Sequence, residues 1–297
     1  MSSFKDLLKT IELELGQQQF LGSPSNLYDP LNYIIGLGGK RIRPVLTLMG
    51  CELFDGQLEK AMPAALAIEI FHNFSLIHDD IMDNAPVRRG KATVHEKWDS
   101  STAILSGDLM LVKAYEKLLK SEQKYWPELL SVFNKTAAEV CEGQQFDMNF
   151  EKQAHVSEAE YLEMIRLKTS VLLGSSLQLG AIVAGADQVN SKKLYELGVK
   201  MGLGFQLMDD YLDAFGTPEL VGKKPGGDIL AGKKTIMAIK AMEKGGTKFT
   251  EILKNITSSD EKKIEQTKEI FSSIGADVYL KGLSERYFNS AGITDWK

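Results

Sequence analysis

The chain has 297 residues, 43% apolar and 25% charged, enough to bury a large core in a globular protein. Its formal net charge of −5 lacks the basic excess that nucleic-acid binding demands, so no nucleic-acid partner is expected. Cys51 and Cys141, far apart in sequence and both on helical patterns, read as buried thiols rather than a disulfide. That fits a reducing, cytoplasmic setting.

The opening segment MSSFKDLLKTIELEL alternates charged with apolar residues and has no uninterrupted apolar run of the signal-peptide kind. Apolar spacings of three and four predict helices over 3–19, 27–37, 42–55 and 58–83, with Gly36, Gly38 and Gly39 marking a loop between the second and third. The same period continues over 101–121, 126–149 and 158–185, the last opened by a capping box at Ser157-x-x-Glu160. The longest uncharged stretch, 169–186, contains Ser170, Ser175, Ser176 and Gln178, and so predicts a buried helix pair rather than a bilayer span. Further helices are predicted over 191–214, 230–244, 248–256, 260–273 and 276–289. Thr217-Pro218 reads as a helix start, Gly222, Pro225, Gly226 and Gly227 as a loop, and Ser258-x-x-Glu261 as a second box. Gly180 and the Gly198-x-x-x-Gly202 pair read as close helix contacts. No run of strands and no Pro/Ser-rich linker interrupts the pattern. An all-α fold is expected, one domain over 1–297, a helical bundle whose functional residues project inward.

Two acidic motifs stand out against this background: Asp79-Asp80-Ile81-Met82-Asp83 and Asp209-Asp210-Tyr211-Leu212-Asp213. On a helix, residues three and four apart share a face, so Asp79 and Asp83 project together with Asp80 beside them, and Asp209, Asp210 and Asp213 repeat the arrangement. Carboxylates so close repel unless a cation lies among them. A few hard oxygens, with room for water and phosphate oxygens, suit Mg²⁺. A solvated acidic face is the plainer alternative. However, a chance match arises in about one chain in twenty, and two matches far more rarely, which favours the metal reading.

Cations recur around the motifs. Lys40, Arg41 and Arg43 follow the Gly38-Gly39 loop and lead into a helix, a natural phosphate site. Arg88 and Arg89 follow the first motif, Lys168 interrupts a weakly charged stretch, and Lys223, Lys224, Lys233 and Lys234 surround Gly226-Gly227-Asp228. Singly, each is an ordinary surface charge. Jointly with the carboxylates they describe a polyanion site bridged by a divalent metal. Gly227-x-x-x-x-Gly232-Lys233 is not a P-loop, because Lys234 stands where Ser or Thr belongs and no strand precedes it. Gly36-x-Gly38 likewise fails as a dinucleotide fingerprint, since Arg41 stands where the third glycine belongs. His78 reads as a packed or hydrogen-bonded helix histidine.

Taken in order, Gly38-Gly39-Lys40-Arg41-Ile42-Arg43-Pro44, His78-Asp79-Asp80-Ile81-Met82-Asp83 with Arg88-Arg89-Gly90, and Gly107-Asp108 resemble a known family. So do Gly143-Gln144 with Asp147, Lys168-Thr169, Phe205-Gln206-Leu207-Met208-Asp209-Asp210 with Asp213, and Gly232-Lys233. They resemble the trans-isoprenyl diphosphate synthases, the polyprenyl synthetases that include farnesyl and geranylgeranyl diphosphate synthases. The resemblance implies an isoprenoid-synthase-type bundle around a central cavity, with Asp79 and Asp83 facing Asp209 and Asp213 and three Mg²⁺ ions held between them. Asp80 and Asp210 complete the motifs. Arg88, Lys168, Lys223 and Lys233 would assist in gripping an allylic diphosphate. Lys40, Arg43, His72 and Arg89 would hold isopentenyl diphosphate without metal. Lys168, Thr169 and Gln206 would line the reacting centre. The family also implies a homodimer.

Diphosphate leaves once its developing charge is neutralised, and the π-bond of isopentenyl diphosphate then attacks the allylic cation. The growing product would run alongside the first acidic helix, where Phe71, Phe74 and Ser75 precede Asp79, and a ring there would floor the pocket. In the family that the chain resembles, a bulky ring at the Phe74 position goes with short-chain enzymes, so the resemblance implies farnesyl or geranylgeranyl diphosphate as the product. The chain ends Ala291-Gly292-Ile293-Thr294-Asp295-Trp296-Lys297, without the basic tail of many relatives, which puts the closing mechanism of the family in question here. Two alternatives carry their own signatures: a class I terpene cyclase, which would replace the second motif, and a non-catalytic regulatory subunit, which would lose aspartates.

Overall fold

The computed structural model describes residues 2–217, 225–244, 249 and 259–293. Internal contacts group the chain into two compact units, Met1–Thr136 with Leu172–Glu196, and Ala137–Val171 with Leu197–Lys297.

The first unit begins with α1 (Phe4–Gln17), whose start is capped by Ser3 and whose Leu7, Ile11 and Leu15, each four apart, are buried. α2 (Ser25–Gly36) and α3 (Ile42–Glu52) flank the glycine loop, and α4 (Leu58–Met82) is the long helix that ends in the first acidic motif. A two-stranded antiparallel hairpin follows, β1 (Val87–Arg88) and β2 (Lys91–Ala92), which the sequence pattern does not predict. Two-residue strands are too short to show alternation. Their turn is carried by Arg89 and Gly90, both at positive φ (52° and 73°), the backbone that tight hairpins require. α5 (Val94–Lys97) and α6 (Ser100–Leu118) come next, α6 capped by the Asp99 carboxylate, which accepts from the Thr102 N–H at 2.8 Å. The unit is completed by the first turns of α7 (Trp126–Lys152), by α9 (Val171–Val183) and by the start of α10 (Gln188–Phe215).

α3 and α9 meet backbone to backbone. A Cβ on Gly180 would lie 1.9 Å from the Thr47 carbonyl oxygen, and one on Gly50 2.3 Å from that of Leu177. Gly180 thus packs closely, as expected. The uncharged stretch forms one buried helix rather than a helix pair, with Ser175 and Ser176 both returning their hydroxyls to the Leu172 carbonyl. At 13 residues it is about 20 Å long. Among the described residues no helix is long and apolar enough to cross a membrane.

In the second unit α8 (Glu158–Ile165) opens with the predicted capping box: Ser157 Oγ accepts from the Glu160 N–H at 3.2 Å, and the Glu160 carboxylate accepts from the Ser157 N–H at 2.8 Å. The predicted continuous helix 158–185 is broken by a π turn over Arg166–Ser170. The break carries Lys168 and Thr169, and such single-turn π segments mark functional sites. Gly143 on α7 and Gly202 on α10 let both helices press on this turn, since their Cβ positions would fall 2.3 Å from the Lys168 nitrogen and 2.6 Å from the Ser170 Cα. α11 (Gly227–Leu230), α12 (Ile236–Lys244), α13 (Asp260–Ser273) and α14 (Ala276–Ser290) complete the unit. Their core includes Tyr161, Met164, Leu207, Ile236, Phe249, Phe271 and Leu280.

Ser259 caps α13. Ser258, Pro218, Gly222, Lys223, Lys224 and all of the predicted helix 248–256 except Phe249 lie outside the described residues. Cys51 is buried as expected, but Cys141 is exposed. The buried stripe of α7 runs through Phe133, Thr136, Val140 and Gln144, and Cys141 sits one residue around the helix from it.

Candidate active site

Both acidic motifs sit at helix C-termini, where the backbone dipole is negative and carboxylates are disfavoured. The first motif closes α4. Asp83 is its C-cap, with its N–H on the Asp79 carbonyl at 2.8 Å. Asp79 is half-buried and Asp83 exposed, whereas Asp80 is buried at 1% exposure. Both Asp80 oxygens are taken by Arg88, with Nε at 2.9 and 2.8 Å and Nη2 at 2.7 Å from Oδ1. Asp80 does not stand open beside Asp79 and Asp83, and Arg88 is engaged with Asp80 through a charge-assisted fork that ties the hairpin to the helix end.

The cation loop is built from left-handed backbone at Gly38 (φ 75°) and Arg41 (φ 47°), with Gly39 at φ 144°. Arg41 turns inward. Its Nη1 lies 2.5 Å from Glu69 Oε1, its Nη2 donates to the Ile35 carbonyl at 2.7 Å, and its Nε to Glu12 at 3.2 Å. Arg43, one turn into α3, instead reaches His72 on α4, Nη1 to Nε2 at 3.2 Å. A guanidinium only donates, so His72 Nε2 accepts and its proton sits on Nδ1. Among the described residues, the buried Nε of Arg43 has no hydrogen-bond partner. Arg89, at the hairpin tip, donates to the Gly38 carbonyl and covers Gly39, whose Cβ would lie 2.9 Å from the guanidinium carbon. Lys40 is exposed on the same loop. Of the four expected isopentenyl diphosphate ligands, Arg43 and His72 thus touch directly, and Arg89 clasps the loop that carries Lys40.

Burial lowers Arg43 to about 10 and also depresses Arg89. Burial, and then the positive charge of Arg43 and its neighbouring arginines, holds His72 well below the usual histidine range. A histidine neutral in the fold but protonated when unfolded favours unfolding below about pH 6.5, so its contribution is complete above that pH and is lost as pH falls. His72→Gln is therefore expected to reduce the drop in Tm between pH 7.5 and 5.5, as read by thermal denaturation; an unchanged drop would show that His72 does not carry it.

Phe71 and Phe74, expected to share a face, do so with ring centres 5.5 Å apart. Phe71 also meets Phe133 at 5.3 Å, and Phe133 meets Tyr115 at 4.9 Å, an aromatic wall beside α4. Ser75 returns its hydroxyl to the His72 carbonyl at 2.9 Å. His78 is held at the Ile104 carbonyl, 3.2 Å away, as a hydrogen-bonded helix histidine.

In the second unit, a cavity of about 220 Å³ is lined by Asp147, Lys168, Thr169, Gln206, Asp209 and Lys233 among others. Lys168 lies 2.6 Å from Asp147 Oδ2, and Lys233 4.0 Å from the same oxygen. The Thr169 hydroxyl donates to Gln206 Oε1 at 3.0 Å, and Gln206 Nε2 donates to Asp210 Oδ1 at 3.0 Å. Asp210 also accepts from the Tyr161 hydroxyl. Asp213 Oδ2 accepts from the Asp228 N–H at 2.9 Å. Asp209 is exposed, whereas Asp210 and Asp213 are buried. Burial first, and then Asp228, pushes Asp210 well above the carboxylate range. Sequence reasoning misses Tyr161 and Asp228. A lone tyrosine on a helical stripe reads as core, and Asp228 stands out only as the centre of a lysine cluster.

Among the described residues, no three His, Cys, Asp or Glu side chains converge as a ready-made metal cage. The donor set instead fits Mg²⁺, which takes one or two carboxylates and completes its shell with water and phosphate oxygens. Asp79 with Asp83, and Asp209 with Asp213, could hold it.

Residues 24–274 match the family model for polyprenyl synthetase. The chain is 40% identical to a geranylgeranyl diphosphate synthase of Methanosarcina mazei, over 89% of this chain and 81% of that protein. It is 41% identical to a short chain isoprenyl diphosphate synthase of Methanothermobacter thermautotrophicus, over 88% and 81%. The crystal structure of a geranylgeranyl pyrophosphate synthase superposes with a TM-score of 0.94 at 47% identity, covering 98% of this chain and 91% of that one. An all-α chain with these two acidic motifs and this similarity is a trans-prenyltransferase of isoprenoid biosynthesis. The chain belongs to the polyprenyl synthetase family, as an isoprenyl diphosphate synthase.

Proposed function

We propose that the enzyme, as a single domain, joins isopentenyl diphosphate to an allylic diphosphate (dimethylallyl, geranyl or farnesyl) and releases geranylgeranyl diphosphate. The observation that carries this reading is the pairing of a metal-type carboxylate motif at the end of α4 with a separate anion site, where Arg43 and Arg89 supply the positive charge and the neutral His72 holds Arg43. One diphosphate would be held through metal and the other by side chains alone.

Asp79 with Asp83, and Asp209 with Asp213, would hold Mg²⁺, three ions in all, which would supply the charge neutralisation that lets the allylic diphosphate leave. Lys168 and Lys233 add positive charge over Asp147 beside that leaving group, and Lys223, outside the described residues, is proposed to join them. Arg88 acts by holding Asp80 and the hairpin. Lys40, Arg43, His72 and Arg89 fix the second diphosphate. The allylic C–O bond breaks with its electron pair going to the diphosphate. The π pair of isopentenyl diphosphate forms the new C–C bond, and a proton is lost to the departed diphosphate. Positioning and preformed charge do most of this work, with no protein nucleophile.

Supporting a homodimer are the exposed apolar residues Leu105 (59%) and Val112 (52%) of α6, apolar surface that a second copy would cover. A cytoplasmic location accords with the reducing setting suggested by cysteine usage.

The test is product analysis of purified enzyme with Mg²⁺, labelled isopentenyl diphosphate and each of the three starters. Geranylgeranyl diphosphate from all three is expected. Absence of label incorporation, or a hydrocarbon released from a single allylic substrate, would overturn the assignment. Phe74→Ala opens the aromatic wall and is expected to extend the product by one or more five-carbon units. An unchanged chain-length profile would remove Phe74 from that role.

A further inference from the structure

Four side chains in the second unit form one hydrogen-bonded line with a definite direction. Tyr161 on α8 and Gln206 on α10 both donate to Asp210, and Thr169 in the π turn donates to the far end of the Gln206 amide. Asp210 accepts from both Tyr161 and Gln206, whereas an amide has one donating and one accepting end. With its nitrogen committed to Asp210, Gln206 must turn its oxygen to Thr169. The single hydrogen of the Thr169 hydroxyl is then used, and its remaining lone pair is free for the cavity that Thr169 and Gln206 line.

Tyr161 anchors this line. It is 5% exposed, packed among Met164, Ile165 and Leu207, and its rigid ring delivers the hydroxyl to Asp210 from a helix other than the one carrying Asp210. Its hydroxyl carries a single hydrogen, and that hydrogen is directed at Asp210. The π turn supplies the other end. An inserted residue rotates the remainder of the helix by about 100° relative to a regular one, and the Ser170 hydroxyl, on the Ile165 carbonyl at 3.2 Å, closes the turn.

We propose that Tyr161 is a positioning residue for prenyl transfer: by donating to Asp210 it fixes the direction of the Asp210–Gln206–Thr169 bonds, so that Thr169 presents an oxygen lone pair to the electron-poor allylic carbon. The proposal rests on the reading of Thr169 and Gln206 as lining the reacting centre. Without the tyrosine hydroxyl, Asp210 loses one of its two side-chain donors and the Gln206 amide can reverse. Thr169 would then accept from Gln206 and aim its hydrogen at a carbon that is becoming positive. A preformed dipole would change from stabilising to opposing the transition state.

Tyr161→Phe, which keeps the ring, is expected to lower kcat by about tenfold to a hundredfold while KM for either diphosphate moves less than about threefold. The discriminating measurement is a double-mutant cycle. In a Thr169→Val background Tyr161→Phe should cost little more, whereas in a Thr169→Ser background, which keeps the hydroxyl, it should cost as much as in the wild type. Losses that multiply in the Thr169→Val background, or a change confined to KM, would overturn the proposal. Circular dichroism establishes that each variant is folded. If Tyr161→Phe is not, Gln206→Met crossed with Thr169→Val gives the same cycle, with the same two outcomes. An inert wild-type enzyme would refute the reading of function; an active one with multiplying losses would refute only the role of Tyr161.

Discussion

Asp79→Asn and Asp209→Asn are each expected to lower kcat by about a thousandfold or more, while leaving the metal-free protein as stable as the wild type or more so. Asparagine keeps the shape and removes the charge. At the end of α4 the carboxylates of Asp79, Asp80 and Asp83 crowd a negative helix terminus, with Arg88 bound to Asp80. At α10, Asp209 adjoins the buried Asp210 and Asp213. Removing one charge therefore eases the crowding at the helix end and, under the proposed function, also removes a ligand for the ion that would assist diphosphate departure. The paired measurement is kcat at saturating substrates with Mg²⁺, and Tm in the presence of a chelator. Activity within tenfold of wild type would contradict the ligand assignment. A large fall in Tm would recast these aspartates as structural.

Arg41→Met is expected to destabilise the fold by about 3–5 kcal/mol, because it leaves Glu69 buried without its partner. Both side chains are 2% exposed, and Glu69 is further fixed by Asn73, whose amide donates to Oε1 at 3.2 Å. Replacing both partners, Arg41→Met with Glu69→Met, removes the stranded charge and is expected to recover much of the loss. Urea denaturation of the single and double variants measures the difference; equal stabilities for both would show that the pair is not coupled. Arg41 also holds the Ile35 carbonyl, so its loss frees the Gly38–Lys40 loop. KM for isopentenyl diphosphate should rise in whatever fraction remains folded.

Much of the fold and site is legible in the sequence, and the remainder is hidden for identifiable reasons. Long amphipathic helices such as 126–152 and 260–273 announce themselves by period, and the Ser157–Glu160 box by its spacing. The acidic motifs stand out because carboxylates three and four apart in apolar surroundings are unfavourable without a purpose. Periodicity does not say which aspartate of each motif turns inward, since Asp80 and Asp210 are held by partners outside their own helices, Arg88 in the hairpin and Tyr161 on α8. Nor does it separate Arg41 from Arg43, two positions apart, one serving the core and the other the site. The hairpin is too short to show a strand pattern. The π turn leaves the composition of 158–185 looking like one helix, because a single extra residue alters phase and not hydrophobicity.

That extra residue has a consequence for engineering. Deleting one position within Arg166–Ser170 would restore an unbroken α-helix with better internal geometry, and a selection for heat resistance alone would reward the repair. The repaired helix would carry Lys168 and Thr169 about a quarter-turn away from Asp147 and Gln206, yielding a sturdier scaffold with a silent catalytic centre.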